Sequence, residues 1–375
     1  MFGTGLAWLA AVWLVAGCAG SILPWLSAGT PWTFDIARRV TPLARWDSGW
    51  YVNLAEAGYG EPPERVGQET NHAFFPLYPG LMRLVVRATG IETSLAGNLV
   101  SAAALFAALP LFAAWTRRHY GEARVGPAVL ALLLFPTAFF FAAVYTEALL
   151  LALSLAAVEA FERRRPALGT AAGVLAGLTR VSGLVLAPYL GLVAFRARRD
   201  AHEPLARAVL AGAIAAASPL LGFGAFCLYF QRRFSDPLLF VKAQHNWSGQ
   251  AKSILDGPSL ILRGVVEDVR SGRLLGDARA RTLEGIYLLV FLVLAAVLLA
   301  QRRRAEALYV ALTVGIVFAS GTLESAGRYV LPAFPAFAAL AALASRPDLF
   351  RSLLALSAGA QAVYVWAFVH WYWTG

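Results

Sequence analysis

The run Arg45-Trp46-Asp47-Ser48-Gly49-Trp50-Tyr51 sets one carboxylate beside a cation and among three aromatic rings. A carboxylate in such company, close to an apolar phase, is costly to keep charged unless something uses it. One use is general-base chemistry, in which Asp47 takes the proton from a sugar or alcohol hydroxyl as it attacks an activated donor. The competing reading is structural: Asp47 directly precedes a helix beginning at Ser48, and its side chain can cap that helix by accepting backbone N–H groups. The two readings are compatible. Arg45, Trp46 and Tyr51 stand beside Asp47 as candidates for binding the substrate.

Other residues of similar chemistry lie further along. In Asn71-His72-Ala73-Phe74-Phe75-Pro76-Leu77-Tyr78-Pro79, the prolines stiffen the entry into a helix and the rings suit headgroup depth. His72 can bind a phosphate or a hydroxyl there, or simply be a polar residue satisfied at the interface. Glu147, Arg180 and Arg328, with Glu324 just before the last, fall at or near the ends of apolar runs. Two arginines can clamp a phosphate in bidentate geometry, while Glu147 can hold sugar hydroxyls or orient an arginine. The alternative is interfacial snorkelling or a structural Glu–Arg pair. Lys242-Ala243-Gln244-His245-Asn246-Trp247 offers a cation, an imidazole and an indole. Lys242 and His245 suit phosphate and Trp247 suits a sugar face, although a solvated loop anchored by Trp247 accounts for the same residues. Asn246-Trp247-Ser248 is a glycosylation sequon, which matters only in a eukaryotic secretory host. A Gly-rich phosphate loop, a Cys/His metal cluster, a G-x-S-x-G elbow and a dinucleotide fingerprint are all missing from the sequence. A donor delivered on a lipid carrier, with no cofactor or metal, fits that pattern.

These residues must be held by elements that suit lipid. Of the 375 residues, 59% are hydrophobic and 14% charged, against about 25% charged in soluble domains. Apolar runs near 5–26, 94–116, 125–143, 145–162, 167–180, 183–197, 205–230, 283–300, 305–320, 328–345 and 350–371 predict about eleven membrane-crossing helices in one all-α polytopic domain over residues 1–375. Arginine clusters at 117–119, 163–165, 196–199, 302–304 and 346–351 recur at alternate turns, which the positive-inside rule places in the cytoplasm together with the N-terminus. The net charge of +10 is therefore topology and not a nucleic-acid footprint. The segments 27–93 and 231–282 are then long and external, and they hold most of the candidate chemistry. Within the first, Ser48 to Tyr59 reads as a short amphipathic helix, and Arg83 and Arg87 share one face of an interfacial helix over 74–89. Cys18 and Cys227 lie in apolar runs and predict no disulfide. Val15-Ala16-Gly17-Cys18 looks like a lipoprotein processing site, but no basic residue precedes the run, so a retained first span is expected. Only Lys242 and Lys252 among 32 basic residues are lysines, a bias that goes with a GC-rich bacterial genome and so a bacterial plasma membrane.

The Arg45 to Tyr51 run with Ala55 and Gly58-Tyr59, then Phe74-Phe75-Pro76-Leu77-Tyr78-Pro79, resembles the PIG-V mannosyltransferases, the second mannosyltransferase of GPI-anchor synthesis and its bacterial relatives. Phe135-Pro136-Thr137, Tyr145-Thr146-Glu147, Thr179-Arg180 and Arg328-Tyr329 with Pro332 are similar to the same pattern. The resemblance implies a GT-C fold with juxtamembrane helices in the first external loop and a catalytic aspartate near its start, at Asp47. It also implies a polyprenyl-phosphate sugar, usually mannose, as donor, and a membrane-associated acceptor, whether glycolipid, polysaccharide or protein. A transporter or flippase of lipid-linked sugars is the rival from another class, since intramembrane charges also line transport paths.

Overall fold

Inside lipid the backbone must bond to itself, and the computed structural model of the chain is accordingly helical. It describes residues 2–22, 41–62, 70–248, 257–271, 281–320, 323, 325–372 and 374. In chain order the α-helices among these are α1 (Phe2–Ile22), α2 (Ser48–Glu56), α3 (Leu77–Thr89), α4 (Thr93–Tyr120), α5 (Val125–Leu133), α6 (Glu147–Glu162), α7 (Pro166–Gly177), α8 (Leu186–Asp200), α9 (Leu205–Phe234), α10 (Leu239–Ser248), α11 (Gly257–Arg270), α12 (Arg281–Ala300), α13 (Arg304–Ser320), α14 (Ala326–Tyr329), α15 (Phe334–Leu340) and α16 (Pro347–Val369).

Among the described residues, six stretches are long and apolar enough to cross a membrane: Phe2–Ser21, Thr93–Tyr120, Val181–Asp200, Leu205–Phe234, Leu283–Ala300 and Pro347–Val369. The protein is thus a multi-pass integral membrane protein, with fewer full-length spans than the eleven expected. The differences have local causes. The expected span at 125–143 ends as α5 before Pro136, and a 3-10 turn over Ala138–Phe141 follows. The one at 328–345 is divided between α14 and α15, with Pro332 and Pro335 unable to donate to the preceding turn. Those at 145–162, 167–180 and 305–320 form helices of 16, 12 and 17 residues.

The irregular stretch between α5 and α6 is deeply buried, with Ala138 to Tyr145 at most 1% exposed. Its carbonyls need donors that lipid cannot supply. Asn98 Nδ2 donates to the Ala142 carbonyl at 2.7 Å and Ser101 Oγ to that of Ala143 at 2.7 Å, both from α4. From α16, Gln361 Nε2 donates to the carbonyls of Leu133 (3.0 Å) and Phe135 (2.7 Å), and its own oxygen accepts from Trp8 Nε1 on α1 at 3.0 Å. Three helices therefore fix the segment that delivers Glu147.

Helices α7, α8 and α9 approach to backbone contact through glycine. A Cβ on Gly177 would lie 2.0 Å from the Pro219 carbonyl oxygen, and one on Gly222 would lie 2.0 Å from that of Val174. Pro219 has no N–H for the Ala215 carbonyl, and Ser218 Oγ fills that role at 2.7 Å.

The basic clusters gather at one end of the bundle. Arg118 pairs with Glu159 and, at 2.8 Å, with Glu162, Arg303 donates to the His119 carbonyl, and Arg198 binds Glu203 at 2.8 Å. The start of α6, the end of α7 and the end of α16 point the other way.

Candidate active site

Asp47 owes its place to the turn before it. Trp46 adopts a left-handed backbone (φ 55°) and packs edge-on against Trp371, with ring centroids 5.9 Å apart. Arg45 donates to the carbonyls of Val369 (3.2 Å), Thr41 (3.2 Å) and Ala44 (3.0 Å) and lies over the Trp371 ring, so its guanidinium ties the loop to the end of α16. The Arg45 carbonyl accepts from the Tyr145 hydroxyl at 3.1 Å. At the far end of α2, Arg83 donates to the Ala55 (2.6 Å) and Leu54 (3.1 Å) carbonyls, placing a cation where the helix dipole is negative. Asp47 occupies the N-cap position of α2 with helical backbone angles, yet its side chain makes no capping bond. Its Oδ2 accepts instead from Arg328 Nη1 at 2.9 Å.

Arg328 is aimed by its own short helix. Ser325 is left-handed (φ 71°), the Gly327 N–H donates to Glu284 Oε2 at 2.6 Å, and Thr137 Oγ1 donates to the Gly327 carbonyl at 2.8 Å. A side chain at Gly327 would meet Tyr287 at 2.8 Å and Thr137 at 2.9 Å. Arg328 Nη2 donates to Ser325 Oγ at 2.7 Å, and its guanidinium lies 4.9 Å from the centre of the Tyr145 ring. Arg328 Nε is 3.8 Å from Glu147 Oε1, which accepts from Arg180 Nη1 at 2.5 Å. Arg180 in turn covers the Tyr329 ring at 4.4 Å.

The result is a line of alternating charge, Asp47, Arg328, Glu147 and Arg180, drawn from four separate elements. Its formal charge is zero. Tyr51 on α2 lies within electrostatic reach of all four groups. Asp47, Arg328 and Glu147 are buried, Glu147 completely. Bonding capacity nevertheless remains: among the described residues, Ser48 Oγ, Thr146 Oγ1, Glu147 Oε2 and Ser182 Oγ are buried without a hydrogen-bond partner. Such atoms are expensive unless a ligand or a rearrangement uses them. Among the described residues, no group of three or more His, Cys, Asp or Glu side chains is arranged around a common point.

The remaining candidates lie elsewhere. His72 faces the Gly60 carbonyl (3.1 Å) and Thr70 Oγ1 (3.1 Å) and packs edge-on against Phe230 and Phe234. Burial lowers its pKa more than the Gly60 contact and Glu61 raise it. Lys242 is exposed and bound to Asp236 at 2.6 Å. His245 is in α10, with its side chain outside the described residues, as is Glu324 altogether. Sequence reading assigned no role to Glu284 and Thr137, which hold the backbone before Arg328 in place. Glu284 had a signal, since it is an acid at the mouth of the apolar run 283–300. Thr137 stood in the Phe135-Pro136-Thr137 run, similar to the PIG-V pattern, but nothing there linked it to Arg328.

Compared with known families, residues 35–230, more than half of the chain, match the model described as mannosyltransferase (PIG-V). No curated protein matches the sequence. Among solved structures the chain is similar to ArnT from Cupriavidus metallidurans bound to undecaprenyl phosphate, at 13% identity and a TM-score of 0.48, over 98% of this chain and 76% of that one. It is also similar to the apo oligosaccharyltransferase of Archaeoglobus fulgidus, at 13% identity and a TM-score of 0.49, over 98% of this chain but 56% of that one.

Proposed function

The chain belongs to the PIG-V mannosyltransferase family, and from that premise we propose that it transfers a mannosyl group from a polyprenyl-phosphate donor to a hydroxyl of a membrane-associated acceptor, with Asp47 as base. Family membership makes it an enzyme and removes the transporter reading. In the proposed step Asp47 takes the acceptor's O–H proton and the freed oxygen bonds to the anomeric carbon. The bond from that carbon to the phosphate oxygen breaks with its electron pair, and the polyprenyl phosphate leaves. Attack opposite the leaving group inverts the anomeric centre. Arg180 and Arg328 are the cations to meet the phosphate, and Tyr51 and Glu147 are the groups to meet sugar hydroxyls.

The observation that carries this reading is that the Asp47 side chain, although seated at a helix start, makes no bond to that helix and joins a buried guanidinium network. Among the described residues, four buried polar atoms on Ser48, Thr146, Glu147 and Ser182 have no hydrogen-bond partner and add capacity for a polar ligand. The family's GT-C architecture, one membrane-embedded domain with its catalytic loop over 27–93 and a second long loop over 231–282, is the framework we assign. The site then faces the exterior, opposite the arginine-rich end. His72, Lys242 and Arg45 have other partners and take no role in the step.

Asp47→Asn keeps the shape and removes the base. Purified in detergent and given a radiolabelled polyprenyl-phosphate mannose, the variant should lose about two to four orders of magnitude in turnover, the usual scale of general-base catalysis. Turnover near that of the parent would remove Asp47 from the mechanism.

A further inference from the structure

Resting on the reading of Asp47 as base, we propose that Arg328 is shared between base and leaving group: it holds the Asp47 carboxylate before reaction and passes to the departing phosphate once Asp47 has taken the proton. The geometry is the ground for this. Arg328 Nη1 lies 2.9 Å from Asp47 Oδ2, so the same guanidinium that would serve the phosphate is committed to the base. Each of the four charged side chains has an opposite partner, and no cation of the line is left over for a phosphate.

The charge changes of the step match this arrangement. A donor phosphodiester carries one negative charge, whereas the departing phosphate monoester carries about −1.5 to −2 at pH 7. The acceptor proton neutralises Asp47 as that charge grows. Once Asp47 is neutral its Coulomb attraction for Arg328 is gone and only a bond to an uncharged acceptor remains, so Arg328 loosens from the base as the phosphate gains a claim on it. Its anchoring permits a swing: the backbone is fixed by Glu284 and Thr137, while the guanidinium lies over the Tyr145 and Phe140 rings, faces along which it can slide. Glu147 stays with Arg180 and keeps that cation in place.

The test is product binding without turnover. Neutralising the base should release Arg328, so detergent-solubilised Asp47→Asn should bind a polyprenyl phosphate of fixed chain length about tenfold more tightly than the parent, the gain from one charge-assisted bond. Arg328→Gln should weaken binding, and in the double variant the gain should vanish. Equal or weaker binding by Asp47→Asn overturns the proposal, as does a gain that survives Arg328→Gln. An ion pair that never meets the phosphate predicts no gain in binding, only the loss of stability that follows when a buried charge is left unpartnered. Should a variant fail to fold, the parent protein is compared with two ligands at one pH, the polyprenyl phosphate and its methyl ester, which carries a single charge. The added charge of the monoester should draw Arg328 and bind about tenfold more tightly, and equal or weaker binding of the monoester overturns the idea. Turnover of Asp47→Asn reports separately on the base: retained turnover sinks the base while the binding data still decide the role of Arg328.

Discussion

Glu147 holds Arg180 through one oxygen while the same oxygen lies within ion-pair distance of Arg328. Its second oxygen is buried and, among the described residues, accepts nothing. Glu147→Gln preserves volume but sets two buried guanidiniums against one remaining carboxylate, Asp47. Breaking a buried pair this way costs about 3–5 kcal/mol, so detergent thermal stability should fall sharply and turnover with it. A variant of normal stability would show that water reaches the network freely. Arg180→Lys keeps the charge but loses the planar fork that lies over Tyr329, and should raise the donor KM more than it lowers stability. His72 provides a contrast, because its burial lowers the pKa. The folded protein therefore binds the proton less readily than the unfolded chain. The stability linked to the neutral ring is present above the ordinary value of about 6.5 and is lost as pH falls below it. His72→Phe should flatten that part of the stability–pH curve while leaving turnover per folded molecule unchanged; an unaltered slope would mean that other groups set it.

At the scale of elements, the site depends on close approach and on polar side chains facing lipid-depth backbone. Gly177→Ala would drive a Cβ to 2.0 Å from the Pro219 carbonyl oxygen, a backbone atom that cannot step aside unless α7 and α9 part. Overpacking of this kind costs roughly 1–3 kcal/mol, and because Arg180 follows α7 directly, activity should drop together with thermal stability. Gly224→Ala on α9 has open space around it and should be neutral or stabilising by up to about 1 kcal/mol, as for any helical glycine replaced by alanine. If both variants behaved alike, the contact would not be decisive. These elements also show what the sequence could convey. Long apolar runs such as α4, α9 and α16 were readable because lipid imposes length and composition on them. The stretch from Leu134 to Ala143 read as part of the span before it because it is as apolar as one; its irregularity depends on Asn98, Ser101 and Gln361, donors remote in sequence. Asp47, Glu147, Arg180 and Arg328 could be singled out as charges where charges are rare, whereas their pairing could not, since it follows from four elements meeting. Lys242 and His72 looked equally capable because residue chemistry alone carries no distance.

On the scale of the whole molecule, the segregation of charge makes orientation testable. The arginine clusters at the ends of α4, α6, α8 and α12 and at the start of α16 occupy one end of the bundle, bound into Arg118–Glu159, Arg118–Glu162 and Arg198–Glu203 pairs. Asp47 and its partners lie at the other end. Lys and Arg in short loops hold those loops on the cytoplasmic side, so the candidate site should open to the exterior. Glu122, at the arginine-rich end, and Glu61, at the site end near Arg233, are both about 70% exposed in their side chains and suit cysteine reporters. In a background with Cys18 and Cys227 replaced by serine or alanine, Glu61→Cys should react with a membrane-impermeant maleimide in intact cells, and Glu122→Cys only after permeabilisation. The reverse pattern would turn the molecule over and put Asp47 on the cytoplasmic side, where a soluble nucleotide-sugar donor becomes accessible. The lipid-linked donor would then lose its topological reason, leaving family membership to carry it alone. The labelling experiment therefore bears on the donor class as much as on the orientation.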